Sequence, residues 1–389
     1  MRAAMVVYSH FSKDARVRRY AESLARKNIV VDIICLKENY TPKNSKISLV
    51  QFPINRRRLH PLWYIVEYIS FFLFSIFMLS KRSLHKKYQI IHVHNMPDFL
   101  VFCGLVPKLA GAKIILDMHD PMPELYLSKF NKRPNHILYK LLVFIEGASC
   151  RFAHVVLTAN DTFKALFIKR HKNLSRKIHT ILNCPDPRIF KFKPKTAKIG
   201  NRFTLLYMGT VEERFGLDIA IKSIALLSHK LKAIRLIIIP KLDYEGSYLT
   251  MLKKMVGDLG LAQHVEFLPP KPLEEIVPVV QNADIGIVLA RKNIFTQRIF
   301  PVKLLEFVQL GIPVIATQTR QLENYFDSTS IKFLKKTSTS HFSKAVTSLY
   351  KNKALMKELP KNAARYLITH NWFKEEKKYQ MIIGSFISD

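Results

Sequence analysis

The sequence predicts an α/β protein made of two Rossmann-like domains, each a parallel sheet covered by helices. Three observations predict it. Short apolar runs alternate with helical periodicities along nearly the whole chain. The alternation stops at a Pro- and Lys-rich stretch, Pro185 to Asn201, and then restarts. The length of 389 residues exceeds one ordinary core and suits two.

In the first series the apolar run 4–9 (AMVVYS) reads as a buried parallel strand. Ser12 is placed to cap the next helix, whose Val17, Tyr20, Ala21 and Leu24 fall on one face. Strands follow at 30–36, 90–94, 113–118, 154–158 and 178–182. The second series holds strands at 204–208, 235–239, 264–268, 284–289 and 313–317. The predicted organisation is therefore a domain over 1–185, a linker over 186–201 and a second domain over 202–370. Ligands of such sheets bind beyond the carboxyl ends of the strands, and two domains facing each other make the cleft between them the expected site.

Segment 62–79 (LWYIVEYISFFLFSIFML) is nearly all apolar and long enough to cross a bilayer. A span would place strands 30–36 and 90–94 on opposite sides of the membrane, although both read as members of one sheet. Glu67 also lies within it. The predicted arrangement is a helix packed on the sheet, with its outer face in the membrane interface. Trp63, Phe71, Phe72 and Phe74 are candidates for that face. Arg56, Arg57 and Arg58 precede the segment, and Lys81 and Arg82 follow it.

The net charge is +33 and unevenly spread. Residues 1–200 hold 35 Lys+Arg against 12 Asp+Glu, and residues 201–389 hold 27 against 17. Such a field attracts polyanions, either nucleic acid or an anionic membrane face. No recognition helix, RNP-like aromatic strand or zinc motif appears, so no specific nucleic acid is expected as a partner. A basic polyanion binder remains the alternative. The four cysteines form no CxxC pair and read as reduced thiols of a cytosolic protein. The N-terminal run 3–7 is too short for a signal peptide and is followed at once by basic residues. The expected location is cytoplasmic, peripheral on the inner face of the plasma membrane.

No Walker motif, GxGxxG or GxSxG is present, which argues against P-loop NTPases, NAD enzymes of the usual fingerprint and α/β-hydrolases. His92 and His94 form an HxH on one strand face, but two ligands without a third are a weak metal signal, and no metal or other cofactor is expected. The chemistry concentrates in the second half. Gly209-Thr210 makes a turn whose backbone amides can approach a ligand, and Arg214 can clamp a phosphate. Pro301 suits a helix start, where an anion is favoured, and Lys303 adds positive charge in the first turn. Glu306, on the same face, can accept hydrogen bonds from a ribose. Together these residues suit a nucleoside diphosphate.

Phe300-Pro-Val-Lys-Leu-Leu-Glu-Phe-Val-Gln-Leu-Gly-Ile-Pro-Val-Ile resembles the donor-binding helix of the group-1 glycosyltransferases, the large retaining family with the GT-B fold. Four further strings resemble that family in order: Asp14-Ala-Arg-Val-Arg-Arg19, His92-Val-His-Asn-Met-Pro-Asp98, Asp117-Met-His-Asp120, and Tyr207-Met-Gly-Thr with Arg214-Phe-Gly-Leu-Asp218. The tail His370-Asn-Trp372 is similar to the start of its final helix, so 371–389 is expected to cross back to the N-terminal domain. The resemblance implies that Arg214 and Lys303 bind the donor diphosphate, that Glu306 binds the ribose and that His119 sits near the transferred sugar. Asp14, Arg16, His94, Asn95 and Asp120 would then lie on the acceptor side. Two departures stand out. Arg298 occupies the position where many members have the first acid of E-x7-E, and Thr210 stands where many have arginine. The implied reaction moves a sugar from a nucleotide-sugar donor to a lipid-linked or membrane-proximal glycan acceptor with retention, in cell-surface polysaccharide or glycoconjugate synthesis. An epimerase, a phosphorylase or a non-catalytic relative of the same architecture are the other readings.

Overall fold

The computed structural model describes residues 1–54, 61–191, 202–241, 246–271 and 273–386. Two units result: Met1–Asn183 with Glu375–Asp389, and Cys184–Lys374. Arg56, Arg57, Arg58 and most of the predicted linker lie outside the described residues.

The first unit holds, in chain order, β1 (Arg2–Val6), α1 (Ala15–Arg26), β2 (Val30–Leu36), β3 (Ile47–Phe52), α2 (Pro61–His85), β4 (Ile90–His94), α3 (Leu105–Leu109), β5 (Lys113–Met118), α4 (Met122–Phe130), α5 (Ile137–Phe152), β6 (Val155–Thr158), α6 (Asp161–Arg170) and β7 (Ile178–Thr180). The sheet runs β3-β2-β1-β4-β5-β6-β7, with every pairing parallel. Strand order reverses between β1 and β4, so the loops after those strands open at the sheet's switch point. β1 begins two residues before the predicted run. Strand β3 was not predicted: its ISLVQF follows a polar loop and is half exposed at the sheet edge, so it lacks the continuous apolar run of its neighbours.

The second unit holds β8 (Phe203–Gly209), α7 (Leu217–Ser228), β9 (Ile234–Pro240), α8 (Ser247–Asp258), β10 (Val265–Phe267), α9 (Leu273–Gln281), β11 (Ile285–Val288), α10 (Val302–Gln309), β12 (Val314–Thr317), α11 (Arg320–Glu323), β13 (Lys332–Leu334), α12 (Thr339–Lys351) and α13 (Lys353–Thr369). Its order, β10-β9-β8-β11-β12-β13, is again parallel throughout, with the switch between β8 and β11. The three-residue β13 is too short to show a period and was also missed. The last helix, α14 (Trp372–Ser385), starts in the second unit and belongs to the first from Glu375 onward. There Glu375 accepts a hydrogen bond from the Leu182 amide at 2.9 Å, and Gln380 donates to Ser23 at 3.2 Å.

Helix α2 forms as predicted and Trp63 faces out, but Phe71 turns inward. Glu67, Phe71, Ser75, Leu79 and Ser83, spaced at four, turn inward and are buried. The Tyr8 hydroxyl donates to Glu67 at 2.8 Å, which satisfies the carboxylate inside the unit. Phe71 is therefore core, with its ring 5.4 Å from Phe52, and Phe72 and Phe74 are partly buried. Of the four candidate residues only Trp63 faces out, joined by Ile65, Val66, Ile69, Leu73 and Phe77. Among the described residues no helix is long and apolar enough to cross a membrane.

Candidate active site

In the second unit the predicted donor residues gather at the switch point. β8 ends in Gly209, whose φ of +117° is a backbone state that a Cβ would strain. Its carbonyl accepts from the Lys241 amide at 2.9 Å, and the Tyr207 hydroxyl donates to the Thr210 carbonyl, so the turn is held from both sides. The chain then makes a short 3-10 turn, Glu213–Phe215, and Gly216 starts α7 from the left-handed region.

Helix α10 starts after Pro301, whose fixed φ favours a helix entry. Lys303 lies in its first turn. The Lys303 ammonium sits 3.8 Å from the centroid of Tyr207 and 5.1 Å from that of Phe215. The Arg214 guanidinium stands 5.1 Å from the same Phe215 ring and 5.7 Å from Phe295. Two cations thus converge on one aromatic ring, next to the turn at Gly209. Arg214 pairs with Glu212, while its Nε is buried with no hydrogen-bond partner among the described residues. Burial pushes the Lys303 ammonium down to about 7, against the opposing pull of Glu306.

Sequence reasoning missed what holds Arg214. Arg291, in the loop after β11, donates from one nitrogen, Nη2, to both Asp218 oxygens at 2.8 and 3.0 Å, and its amide donates to the Arg214 carbonyl at 2.7 Å. Tyr248 adds a hydrogen bond to Asp218 at 2.6 Å. Asp218 was visible only as the last letter of a motif, and nothing local links it to residue 291. Arg298 turns its guanidinium to the Ile294 carbonyl at 2.5 Å, so it braces the same loop.

The Lys303 environment has a measurable consequence. At pH below about 7 the ammonium is charged before a diphosphate arrives, whereas above about 7 binding must take up a proton. Nucleoside-diphosphate affinity is expected to weaken as pH rises, approaching about tenfold per pH unit once Lys303 is neutral in the free protein. Calorimetry at pH 8 in buffers of different ionisation enthalpy checks this. Uptake approaching about one proton is expected, and buffer-independent heats contradict it.

The first unit builds its site around Asp117 at the end of β5. Arg16 of α1 reaches both carboxylate oxygens, at 2.9 and 2.8 Å, and its third branch donates to the Ile181 carbonyl at 2.9 Å. His94 Nδ1 lies 3.1 Å from Asp117 and His119 Nε2 lies 2.9 Å from it. Burial alone would raise the Asp117 carboxyl, but Arg16 and His119 reverse that and hold it well below the usual carboxylate range. The His92 ring lies 4.2 Å from that of His94, tilted by 32°, and its Nδ1 lies 3.1 Å from the Tyr379 hydroxyl of α14. Burial holds both histidines below their ordinary value.

The predicted acceptor-side residues separate by exposure. Arg16, His94 and Asn95 are buried. Asp14 caps α1, accepting from the Val17 amide at 3.2 Å and from Ser9 at 3.0 Å. Asn95 donates to Asp98 at 3.0 Å and to the Asp120 carbonyl at 2.8 Å, and accepts from the His119 amide at 2.7 Å. His119, with 22% of its side chain exposed, is the imidazole of this cluster that reaches solvent, and Asp120 beside it is partly exposed.

One ligand atom from each of His92, His94 and Asp117 lies within 4.8 Å of the others, a grouping that could hold a metal ion. The donor set argues against it. Both Asp117 oxygens already face the buried Arg16 guanidinium, and a divalent cation there would stand against that charge.

The model of the "Glycosyl transferases group 1" family matches residues 188–366, and that of "Glycosyltransferase Family 4" matches residues 15–188. The two meet in the middle of the chain, and the protein belongs to the group 1 glycosyltransferases: it is a sugar transferase. No curated protein sequence matches it significantly. Sucrose-phosphate synthase from Thermosynechococcus elongatus superposes with a TM-score of 0.78 at 13% identity, over 100% of this chain and 99% of that one. HepE from Anabaena, in complex with UDP and glucose, gives 0.75 at 14%, over 99% and 100%. WaaG, a glycosyltransferase involved in lipopolysaccharide biosynthesis, gives 0.73 at 16%, over 98% and 99%. All share the two-domain GT-B fold.

Proposed function

We propose that this enzyme transfers a sugar, with retention at the anomeric carbon, from a nucleotide-sugar donor to a lipid-linked or membrane-proximal glycan acceptor. Its place would be cell-surface polysaccharide or glycoconjugate synthesis, peripheral on the cytoplasmic face of the plasma membrane. The observation that carries the donor side is the convergence of Lys303 and Arg214 on Phe215 beside Gly209. Two cations and a glycine turn at a parallel-sheet switch point match a diphosphate in charge and in backbone access. Glu306, a turn further along α10, would accept hydrogen bonds from the ribose hydroxyls. The HepE complexes with UDP and with UDP-glucose support a nucleotide sugar as the donor class.

In the reaction the bond from the anomeric carbon to the diphosphate breaks and a bond to the acceptor oxygen forms on the same face. The acceptor proton passes to the leaving diphosphate. Lys303 and Arg214 stabilise the charge that develops on that diphosphate, with no metal invoked. In the first unit His119 is presented for the transferred sugar, oriented by Asp117 and Asn95. The acceptor's membrane setting is supported by the basic first half of the chain and by the apolar outer face of α2.

A thermal-shift screen with UDP-, GDP- and ADP-sugars tests the donor assignment. The matching nucleotide sugar, at a hundred times its Kd, is expected to stabilise the enzyme by about 2.7 kcal/mol. No stabilisation by any of the three would remove the basis for it.

A further inference from the structure

The outer surface of the first unit has an unusual composition. Fifteen of the 25 large apolar residues exposed among those described lie between Trp63 and Phe144. They are ordered. On α2, Ile69, Leu73 and Phe77 follow a helical stripe, on α3 Leu109 is 80% exposed, and on α5 Leu141 and Phe144 lie three apart. The three helices share one side of the sheet. Each follows a strand on the β3-to-β6 walk across it, and right-handed crossovers put such helices on the same face. They are also joined beneath that surface: Phe72 of α2 meets Phe99 at 5.6 Å, and Phe102 meets Phe152 of α5 at 5.1 Å.

Charge on this surface has one sign. Residues 61–153 contain eleven Lys and Arg and six acids. Glu67, Asp98, Asp117, Glu124 and Glu146 are all buried, and Asp120 stands beside His119 at the end of β5. What reaches solvent from α2, α3 and α5, among the described residues, is therefore apolar, cationic or neutral polar, and never acidic. Some of the lysines lie along aromatic rings: Lys81 sits 5.9 Å from the exposed Phe77, and Lys108 sits 4.2 Å from the partly buried Phe152. A lysine in that position keeps its stem on apolar surface and its ammonium at the water boundary. Meanwhile α2 turns its Glu67, Ser75 and Ser83 inward, the reverse of a helix that faces water.

We propose that the combined outer face of α2, α3 and α5 is the surface by which this enzyme lies on an anionic lipid bilayer. This rests on the peripheral membrane reading above and extends it from one helix to a three-helix plane. Apolar side chains enter the acyl boundary while the lysines and arginines meet lipid phosphates. Charge decides between a bilayer and a second copy of this chain. A two-fold contact through this face would bring the cations of one copy against those of the other, with no exposed acid on these helices to meet them. An anionic bilayer supplies both the apolar medium and the opposite charge.

The test is co-flotation of the full-length enzyme with phosphatidylglycerol–phosphatidylcholine vesicles and with phosphatidylcholine vesicles. The parent is expected to float with the anionic vesicles and to be released by salt. The Leu109→Asp/Phe144→Asp variant alters two exposed positions on α3 and α5 and is expected to bind at least about tenfold more weakly. Thermal stabilisation by the donor nucleotide should be unchanged, which shows that the variant is folded, and Leu109→Ser/Phe144→Ser serves if the aspartates impair folding. If the parent floats and a folded variant floats equally, the three-helix surface is wrong and the membrane reading stands. If the parent itself fails to float with anionic vesicles, the membrane reading falls as well. A dimer in sedimentation that the variant turns into a monomer, with vesicle binding unaltered, would assign the face to self-association and overturn the proposal.

Discussion

The Asp117→Ala variant is expected to melt far below the parent. Arg16 is almost fully buried, and two of its branches rest on the Asp117 carboxylate. Removing the carboxylate leaves a guanidinium inside the first unit without its counter-charge. Breaking a buried pair in this way costs about 3–5 kcal/mol. For a domain of this size that corresponds to a fall of about 6–20 °C in Tm. Replacing both partners by leucine removes the stranded charge, and the Arg16→Leu/Asp117→Leu variant is expected to recover much of the loss. Calorimetry of the two variants beside the parent is the measurement. If Asp117→Ala melts like the parent, the pair is not what holds α1 to the end of β5.

The second large effect separates function from stability. Lys303→Met keeps most of the side chain's length and deletes the ammonium that sits 3.8 Å from the Tyr207 ring centroid. Losing a charge-assisted bond to phosphate costs about 1.5–3 kcal/mol, or about 10- to 150-fold in Kd for the nucleotide. The free enzyme should not be destabilised. Burial disfavours this ammonium in the folded protein, so its removal relieves a cost. Nucleotide affinity measured by calorimetry should therefore drop while Tm holds or rises. Parental affinity in Lys303→Met would place the diphosphate elsewhere.

Much of the fold was legible because parallel strands buried on both faces write themselves as apolar runs. Strands β2, β4 and β5 match their predicted limits for that reason. The edge strands β7 and β10 were still found, but β3, which is partly exposed, and the three-residue β13 were missed at the opposite borders of the two sheets. Periodicity found α2 but assigned its faces by hydrophobicity, which fails for a helix that buries Glu67 and Ser75 and exposes Leu73 and Phe77. The residues proposed for the donor were readable as a group because Lys303 and Glu306 lie on one helix turn and Arg214 lies just past a strand. Asp117 as the centre of the first unit's cluster was not readable. Its partner Arg16 is 101 positions away and Tyr379 closes the group from the last helix, and no local spacing encodes either contact.

That last contact bears on the order in which the molecule is made. The first unit's sheet ends at β7, yet its His92 pocket is completed by Tyr379, and the Leu182 amide finds its acceptor in Glu375. The ribosome must add the whole second unit before supplying either group, a delay of about 10–40 s at ordinary elongation rates. The half of the enzyme synthesised first is thus the half finished last. A chain cut after Lys374 would lack both groups: the cut would injure the amino-terminal domain, leave His92 without the Tyr379 hydroxyl, and keep the carboxyl-terminal unit's own residues.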